Sequence, residues 1–154
     1  MPNELTHLDA LGCARMVDVG DKPSMRREAV AVAKFIAKKQ TLDRLLTGDL
    51  PKGEALAVAR LAGIAAAKRT DELIPLCHTL PLDSVAVNFE RLDDTTLLIR
   101  ARASLVAKTG VEMEALTAVS IAGLTLYDMT KAIDKELRIE GIELESKTKQ
   151  AMES

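Results

Sequence analysis

The sequence predicts an α+β fold, a largely antiparallel sheet with helices packed on one face. Three observations point there. Two apolar-alternating segments are joined by a short polar turn, two long alanine-containing segments read as helices, and their order lacks the regular strand–helix repeat of a parallel sheet. The chain has 154 residues, which suits one domain with a real core and is too short for two ordinary ones, so residues 1–154 are expected to form a single domain.

The elements follow in chain order. Residues 14–19 (ARMVDV) alternate polar and apolar and read as a strand, broken by Gly20 and Pro23. Ser24 is a candidate N-cap for a helix from about Met25 to Lys39, with Val30, Ala33 and Ile36 toward the core. A short helical piece from Thr41 to Leu46 ends at Gly48, and an alanine-rich helix runs from about Glu54 to Arg69. Pro75 and Pro81 then forbid regular helix and leave an apolar loop, residues 74–82, that carries one imidazole, His78.

Strands over Ser84–Glu90 and Thr95–Val106 form a predicted hairpin, with Val85, Val87 and Phe89 on one buried face. Thr109 and Glu112 have capping-box spacing ahead of a long helix that can run to about Lys135. A last strand over Leu137–Leu144 precedes a polar tail from Glu145 to Ser154.

Composition removes several function classes. The net charge is −2 and the pI about 5.7, so there is no general basic field for nucleic acid, and any bound anion needs a local cluster of Lys and Arg. Aromatic residues are 2% of the chain, too few for base-stacking platforms. Cys13 and Cys77 lie far apart with only His7 and His78 beside them, which does not support a zinc site. No leader-like opening and no membrane-length apolar run is read in the sequence, so a cytoplasmic protein with free thiols is expected.

Taken singly, the candidate site residues are ambiguous. Asp128 and Lys131 lie one helical turn apart, a spacing that by itself favours a surface ion pair and that also allows an acid–base pair. Lys52 follows Pro51 where a helix should begin, so it could meet a phosphate at the positive helix end, although Pro-Lys-Gly is also an ordinary turn. His78 reads equally as a structural histidine or a catalyst, and Cys77 as a buried small side chain. Glu112 needs no function if it closes a capping box.

The longer strings are specific. Leu5-Thr6-His7, Met16-Val17-Asp18-Val19, Lys52-Gly53, the run from Ala59 to Thr70 (ARLAGIAAAKRT), Ile74-Pro75-Leu76-Cys77-His78, the run from Lys108 to Ala118 (KTGVEMEALTA) and Leu126-Tyr127-Asp128-Met129-Thr130-Lys131-Ala132 together resemble the molybdenum cofactor biosynthesis protein C family, cyclic pyranopterin monophosphate synthase. The resemblance extends from residue 5 to about residue 147. It implies a ferredoxin-like α+β subunit, assembled as a hexamer built as a trimer of dimers, with active sites between subunits. It also implies the reaction: 3′,8-cyclo-7,8-dihydroguanosine 5′-triphosphate is rearranged to cyclic pyranopterin monophosphate with release of pyrophosphate. An Asp and Lys pair can shuttle the protons this needs without a metal or redox cofactor, so no cofactor is expected.

Carried over by position, the family's catalytic residues fall on Asp128, Lys131 and Lys52. Its substrate-binding residues fall on Leu76, Cys77 and His78, on Glu112, Met113 and Glu114, and on Arg26. The partner implied is a small molecule and further copies of the chain, neither nucleic acid nor membrane. The chain departs from the family at Thr79, where proline is usual, and beyond Lys147, where a lysine- and glycine-rich stretch often follows. Two other readings compete with an enzyme: a nucleotide-sensing module and a purely structural oligomer. Pyrophosphate release separates the enzyme from both.

Overall fold

A run of alanines alternating with valine in β1 (Met25–Ile36) sets the centre of the architecture. The computed structural model describes residues 6–153; Leu5 and Ser154 lie outside the described residues. The order of elements is β1, α1 (Lys39–Thr47), α2 (Ala55–Lys68), α3 (Thr70–Leu73), β2 (Ser84–Arg91), β3 (Thr96–Ala107), α4 (Glu112–Thr130) and β4 (Arg138–Ala151). The four strands form one antiparallel sheet in the order β2-β3-β1-β4. With α1 and α2 crossing from β1 to β2 and α4 crossing from β3 to β4, this is ferredoxin-like topology.

One face of the sheet is apolar and fully covered. Ala29, Ala31, Ala33 and Phe35 point inward from β1 and pair across to Ala103, Ala101, Ile99 and Leu97 of β3. Val87 of β2 stands opposite Ala101 on the same face. Helix α4 lies on this surface through Ala115, Ala118, Val119, Ala122 and Leu126, all completely buried. Small side chains on both surfaces let the helix approach closely. Where α2 meets α4, a methyl group added at Gly63 would lie 3.0 Å from the Ala118 carbonyl oxygen and 3.1 Å from Val87 Cγ2.

Four expectations are corrected. Residues 25–36 are a strand, because the Ala/Val alternation has period two and buries Ala29, Ala31 and Ala33 while Val30 and Ile36 stay half-buried. Residues 14–19 form no strand beyond one isolated bridge between Leu8 and Ala14, and Ser24 caps no helix. Helix α4 is shorter than expected and has no capping box: its N-cap is Val111, which makes no side-chain cap bond. The expected polar tail is strand to Ala151, since residues 146–151 supply the hydrogen bonds that β1 needs along its outer edge from Met25 to Val30.

The remaining elements match the sequence reading closely. Helix α1 ends at Gly48 in the left-handed conformation, α2 spans almost the expected residues, and the β2–β3 hairpin pairs in full register. After α4 the chain turns at Asp134, which is 2% exposed. Its Oδ2 accepts from the Lys38 N–H at 2.9 Å and the Thr41 hydroxyl at 2.8 Å, and its Oδ1 from the Glu136 N–H at 2.8 Å. Burial pushes this carboxyl up, but the hydrogen bonds outweigh it and leave it below the usual carboxylate range. The bonds fasten the exit of α4 to the start of α1.

The α2–α4 contact gives a direct test. Gly63→Val places branched carbons against the Ala118 carbonyl and should destabilise the protein by about 2–3 kcal/mol, the usual cost of overpacking, read as a lower urea midpoint with unchanged m-value.

Candidate active site

The C-terminal end of α4 gathers three charges, one of them from a distant part of the chain. Asp128 Oδ1 lies 2.9 Å from Lys131 Nζ, one turn along the same helix. Its Oδ2 lies 2.9 Å from Lys52 Nζ, which also donates to the Asp128 carbonyl oxygen at 3.2 Å. Lys52 reaches this position from the Pro51-Lys52 turn just ahead of α2, where close α2–α4 packing brings the start of one helix to the end of the other. The Lys131 and Lys52 hydrogen bonds hold the exposed Asp128 carboxyl down at about 2, and Asp128 in turn raises Lys131. At neutral pH the cluster is one carboxylate between two ammonium groups, with side chains about half exposed. A polyanion can enter it by displacing the carboxylate from its lysines.

The N-terminal end of α4 builds a different environment. The irregular loop over residues 74–83 folds back beside the first turn of α4, and between them lies a cavity of about 380 Å³. Leu76, Cys77, His78, Glu112, Met113 and Glu114 all line it. The His78 Nε2–H donates to the Val17 carbonyl at 2.6 Å, so in the neutral ring Nδ1 is left as an acceptor. Val17, Val19 and Lys22, from the irregular segment ahead of β1, line it as well, with Thr6 and His7.

Two groups in this cavity have shifted protonation. Glu114 is only 3% exposed, and burial, helped by the nearby charges of Glu112 and Asp71, pushes its carboxyl up to about 7. Burial also raises the Cys77 thiol, to about 11, with the Glu114 charge adding to it; the thiol lies 3.9 Å from Glu114 Oε2. A thiol held protonated at neutral pH is no nucleophile, in line with its reading as a small packed side chain. A carboxyl near 7 can give or take a proton at physiological pH.

The structure therefore brings the ten candidate residues into two groups and one outlier. Lys52, Asp128 and Lys131 sit together, and the six residues from Leu76 to His78 and Glu112 to Glu114 sit together. The groups sit at opposite ends of α4, and the 14 residues from Glu114 to Asp128 span roughly 21 Å at 1.5 Å per residue. Arg26 belongs to neither; it lines a separate depression at the end of the sheet with Gln150 and Glu153.

Sequence reasoning missed a cationic cleft beside the cavity. Arg27, Lys147 and Lys149 line it with Gly110 and Glu112, and Lys147 Nζ lies 3.6 Å from Glu112 Oε1. Placing residues 145–154 in a tail hid it; reading Lys147 and Lys149 at period two along a strand would have put both on one face. Among the described residues, no group of three or more His, Cys, Asp or Glu side chains is arranged to hold a metal ion. Nor is any helix of the described residues long and apolar enough to cross a membrane.

Fold and charge together define a class: an α+β protein of ferredoxin-like topology with a paired-lysine carboxylate cluster at one end of α4 and a polar cavity at the other. The chain belongs to the MoaC family, whose model matches residues 16–150. It is similar to proteins named cyclic pyranopterin monophosphate synthase: one from Chloroflexus aurantiacus (strain ATCC 29366 / DSM 635 / J-10-fl) is 58% identical over 94% of this chain and 90% of the relative. Another from Roseiflexus sp. (strain RS-1) is 57% identical over 95% of this chain and 93% of the relative. A third, from Brevibacillus brevis, is 51% identical over 96% and 92%.

Glu114 makes a prediction about pH. Its folded value lies above its ordinary one, so the stability it contributes is complete below about pH 4.5 and is lost as pH rises toward about 7. Wild-type protein should lose up to about 3 kcal/mol between pH 4.5 and 8 from this group, and Glu114→Gln, isosteric and uncharged, should flatten that part of the curve. Urea denaturation at several pH values measures it; an unchanged slope in the variant would count against the buried carboxyl as its source.

Proposed function

We propose that this protein converts 3′,8-cyclo-7,8-dihydroguanosine 5′-triphosphate to cyclic pyranopterin monophosphate with release of pyrophosphate, a step of molybdenum cofactor biosynthesis. The single observation that carries the reading is the Lys52–Asp128–Lys131 cluster. Its residues come from separate parts of the chain and meet at 2.9 Å on both carboxylate oxygens. The names of the relatives support the same reaction. Residues 1–154 act as one domain in this reading, supported by a continuous core from β1 through α4 to Leu137.

The chemistry follows from the charges. The triphosphate competes with Asp128 for the two ammonium groups, and as they turn to phosphate oxygens the carboxylate loses the partners that held its pKa down. Asp128 becomes a usable base only when substrate is present. A sugar hydroxyl can then lose its proton and attack the α-phosphorus; the P–O bond to the β-phosphate breaks, and pyrophosphate leaves with its charge balanced by Lys52 and Lys131. Arg26 is proposed as a further phosphate contact. The loop from Leu76 to His78, together with Glu112, Met113 and Glu114, binds the ring.

The two clusters cannot reach one substrate from one chain, because about 21 Å of helix separates them. The reading therefore includes a site shared between subunits, one giving its Lys52–Asp128–Lys131 end and the other its cavity. A hexamer arranged as a trimer of dimers satisfies this. Val58 and Leu61 on α2 and Leu124 and Tyr127 on α4 are large apolar side chains left exposed near the first cluster, as an interface requires. Free Cys13 and Cys77 suit a reducing, cytoplasmic setting.

The test is turnover. Wild-type protein should release pyrophosphate from the cyclised GTP substrate, whereas saturable binding without product would make it a nucleotide sensor. Asp128→Asn should abolish turnover with fold and oligomer size intact; activity within about tenfold of wild type, roughly 1.4 kcal/mol in barrier, would remove Asp128 from the mechanism. Mixing inactive Asp128→Ala chains with chains carrying Glu112→Ala and Glu114→Ala, under subunit exchange, should restore part of the activity. No recovery in verified mixed oligomers would rule out the shared site.

A further inference from the structure

Position 79 is where the chain departs from the proline usual in the family, so the fixed φ that a proline would bring to the residue after His78 is absent. A side-chain bond stands in its place. The Thr79 hydroxyl donates to Asp71 Oδ2 at 2.8 Å and closes the chain across eight residues. Inside this closure the Ile74 N–H donates to the Thr70 carbonyl at 2.8 Å and the Cys77 N–H to the Ile74 carbonyl at 3.1 Å, the two turns that lead from α3 to His78. Beyond it, Leu80 and Leu82 pack against the core, and the Asp83 N–H donates to the Ser104 carbonyl at 2.9 Å. The Asp71–Thr79 bond therefore restrains the stretch between α3 and these anchors, and Cys77 and His78 lie in that stretch.

The same carboxylate acts on Glu114. Asp71 stands in the first turn of α3, which packs beside α4. Burial is the main force that raises the Glu114 carboxyl, and the charges of Glu112 on α4 and Asp71 on α3 add to it, while the Cys77 thiol, 3.9 Å from Glu114 Oε2, works the other way. The Asp71 charge also raises that thiol. Lys147 of β4 is engaged with Glu112 at 3.6 Å, and His7, Lys22 and His78 complete the titratable groups among the described residues that line the cavity. One side chain thus has two effects there, a bond that fixes a wall and a charge that opposes ionisation of Glu114.

We propose that Asp71 is a positioning residue for the candidate active site: bonded to Thr79 it holds the loop that carries Cys77 and His78, and its charge acts on Glu114 beside them. Thr79 shares the first task only. Two substitutions separate the tasks. Asp71→Asn keeps an oxygen that can accept from Thr79 and removes the charge, whereas Thr79→Val keeps the charge and the side-chain shape and removes the donor. Both side chains reach solvent, so both variants should fold as wild type does.

Amide hydrogen exchange and carboxyl NMR on the full chain test both tasks without substrate, with Glu114→Gln identifying the Glu114 signal. Thr79→Val should speed exchange at the Cys77 amide about three- to tenfold and leave the Glu114 titration in place, and Thr79→Ser should behave as wild type. Asp71→Asn should leave Cys77 exchange unchanged and move the Glu114 titration to lower pH. A further arm rests on the function proposed above: with the cyclised substrate, Thr79→Val should raise KM about three- to tenfold with a smaller change in kcat, and Asp71→Asn should shift the limb of the turnover profile near pH 7 to lower pH. A merely structural side chain would not move that limb. The proposal is overturned if Thr79→Val leaves Cys77 exchange as in wild type, or if Asp71→Asn leaves the Glu114 titration where it was. Absence of pyrophosphate release by wild type is a separate result: it would sink the proposed reaction and leave the exchange and NMR measurements standing.

Discussion

The close seating of α4 on the sheet and on α2 governs the rest of the molecule. Alanines on β1, β3 and α4, with Gly63 on α2, form the contact, so the helix lies nearer to its neighbours than larger side chains would allow. Its direction is then fixed along its whole length, and with it the positions of both its ends. Each end becomes a candidate site because a different part of the chain is brought to it: the Pro51-Lys52 turn at the C-terminal end, the residue 74–83 loop and the irregular segment ahead of β1 at the N-terminal end. An added side chain at the α2–α4 contact would shift the very turn that carries Lys52.

The two ends of α4 handle charge in opposite ways, and the difference is solvation. At Asp128 the carboxylate is exposed, paired twice and ionised, so its environment changes greatly when a polyanion takes its partners away. At Glu114 the carboxyl is buried among Cys77 and the α4 backbone, and desolvation holds it near neutrality. One end is therefore suited to gripping phosphate and the other to exchanging a proton with a polar ring. About four turns of helix separate these tasks, which is the physical reason a second subunit enters the proposed mechanism.

The sheet's edge has a comparable double duty. β4 supplies backbone hydrogen bonds to β1, and the same strand sets Lys147 and Lys149 beside Glu112. A segment that is polar enough to resemble a solvated tail is held by main-chain bonding, to which side-chain polarity is nearly irrelevant, and this leaves its lysines free to line a cleft.

The amino-acid sequence by itself determined the elements whose signals are local. The α2 helix, the hairpin with its inward Val85, Val87 and Phe89, the Gly48 stop and the proline-bounded loop were all legible, because periodicity and backbone restriction act within a few residues. Family strings likewise identified Lys52, His78, Glu114 and Asp128 as residues of interest. The period-two Ala/Val alternation of residues 25–36 is a local strand signal as well, and tertiary structure decided that its small alanine face is the one turned inward against α4. Tertiary structure alone decided that the last polar residues pair with β1, that Asp128 is shared by lysines 76 residues and three residues away, and that Lys22 lines the cavity. Those outcomes depend on which distant surfaces meet, and no local pattern of residues encodes a meeting between segments so far apart in the chain.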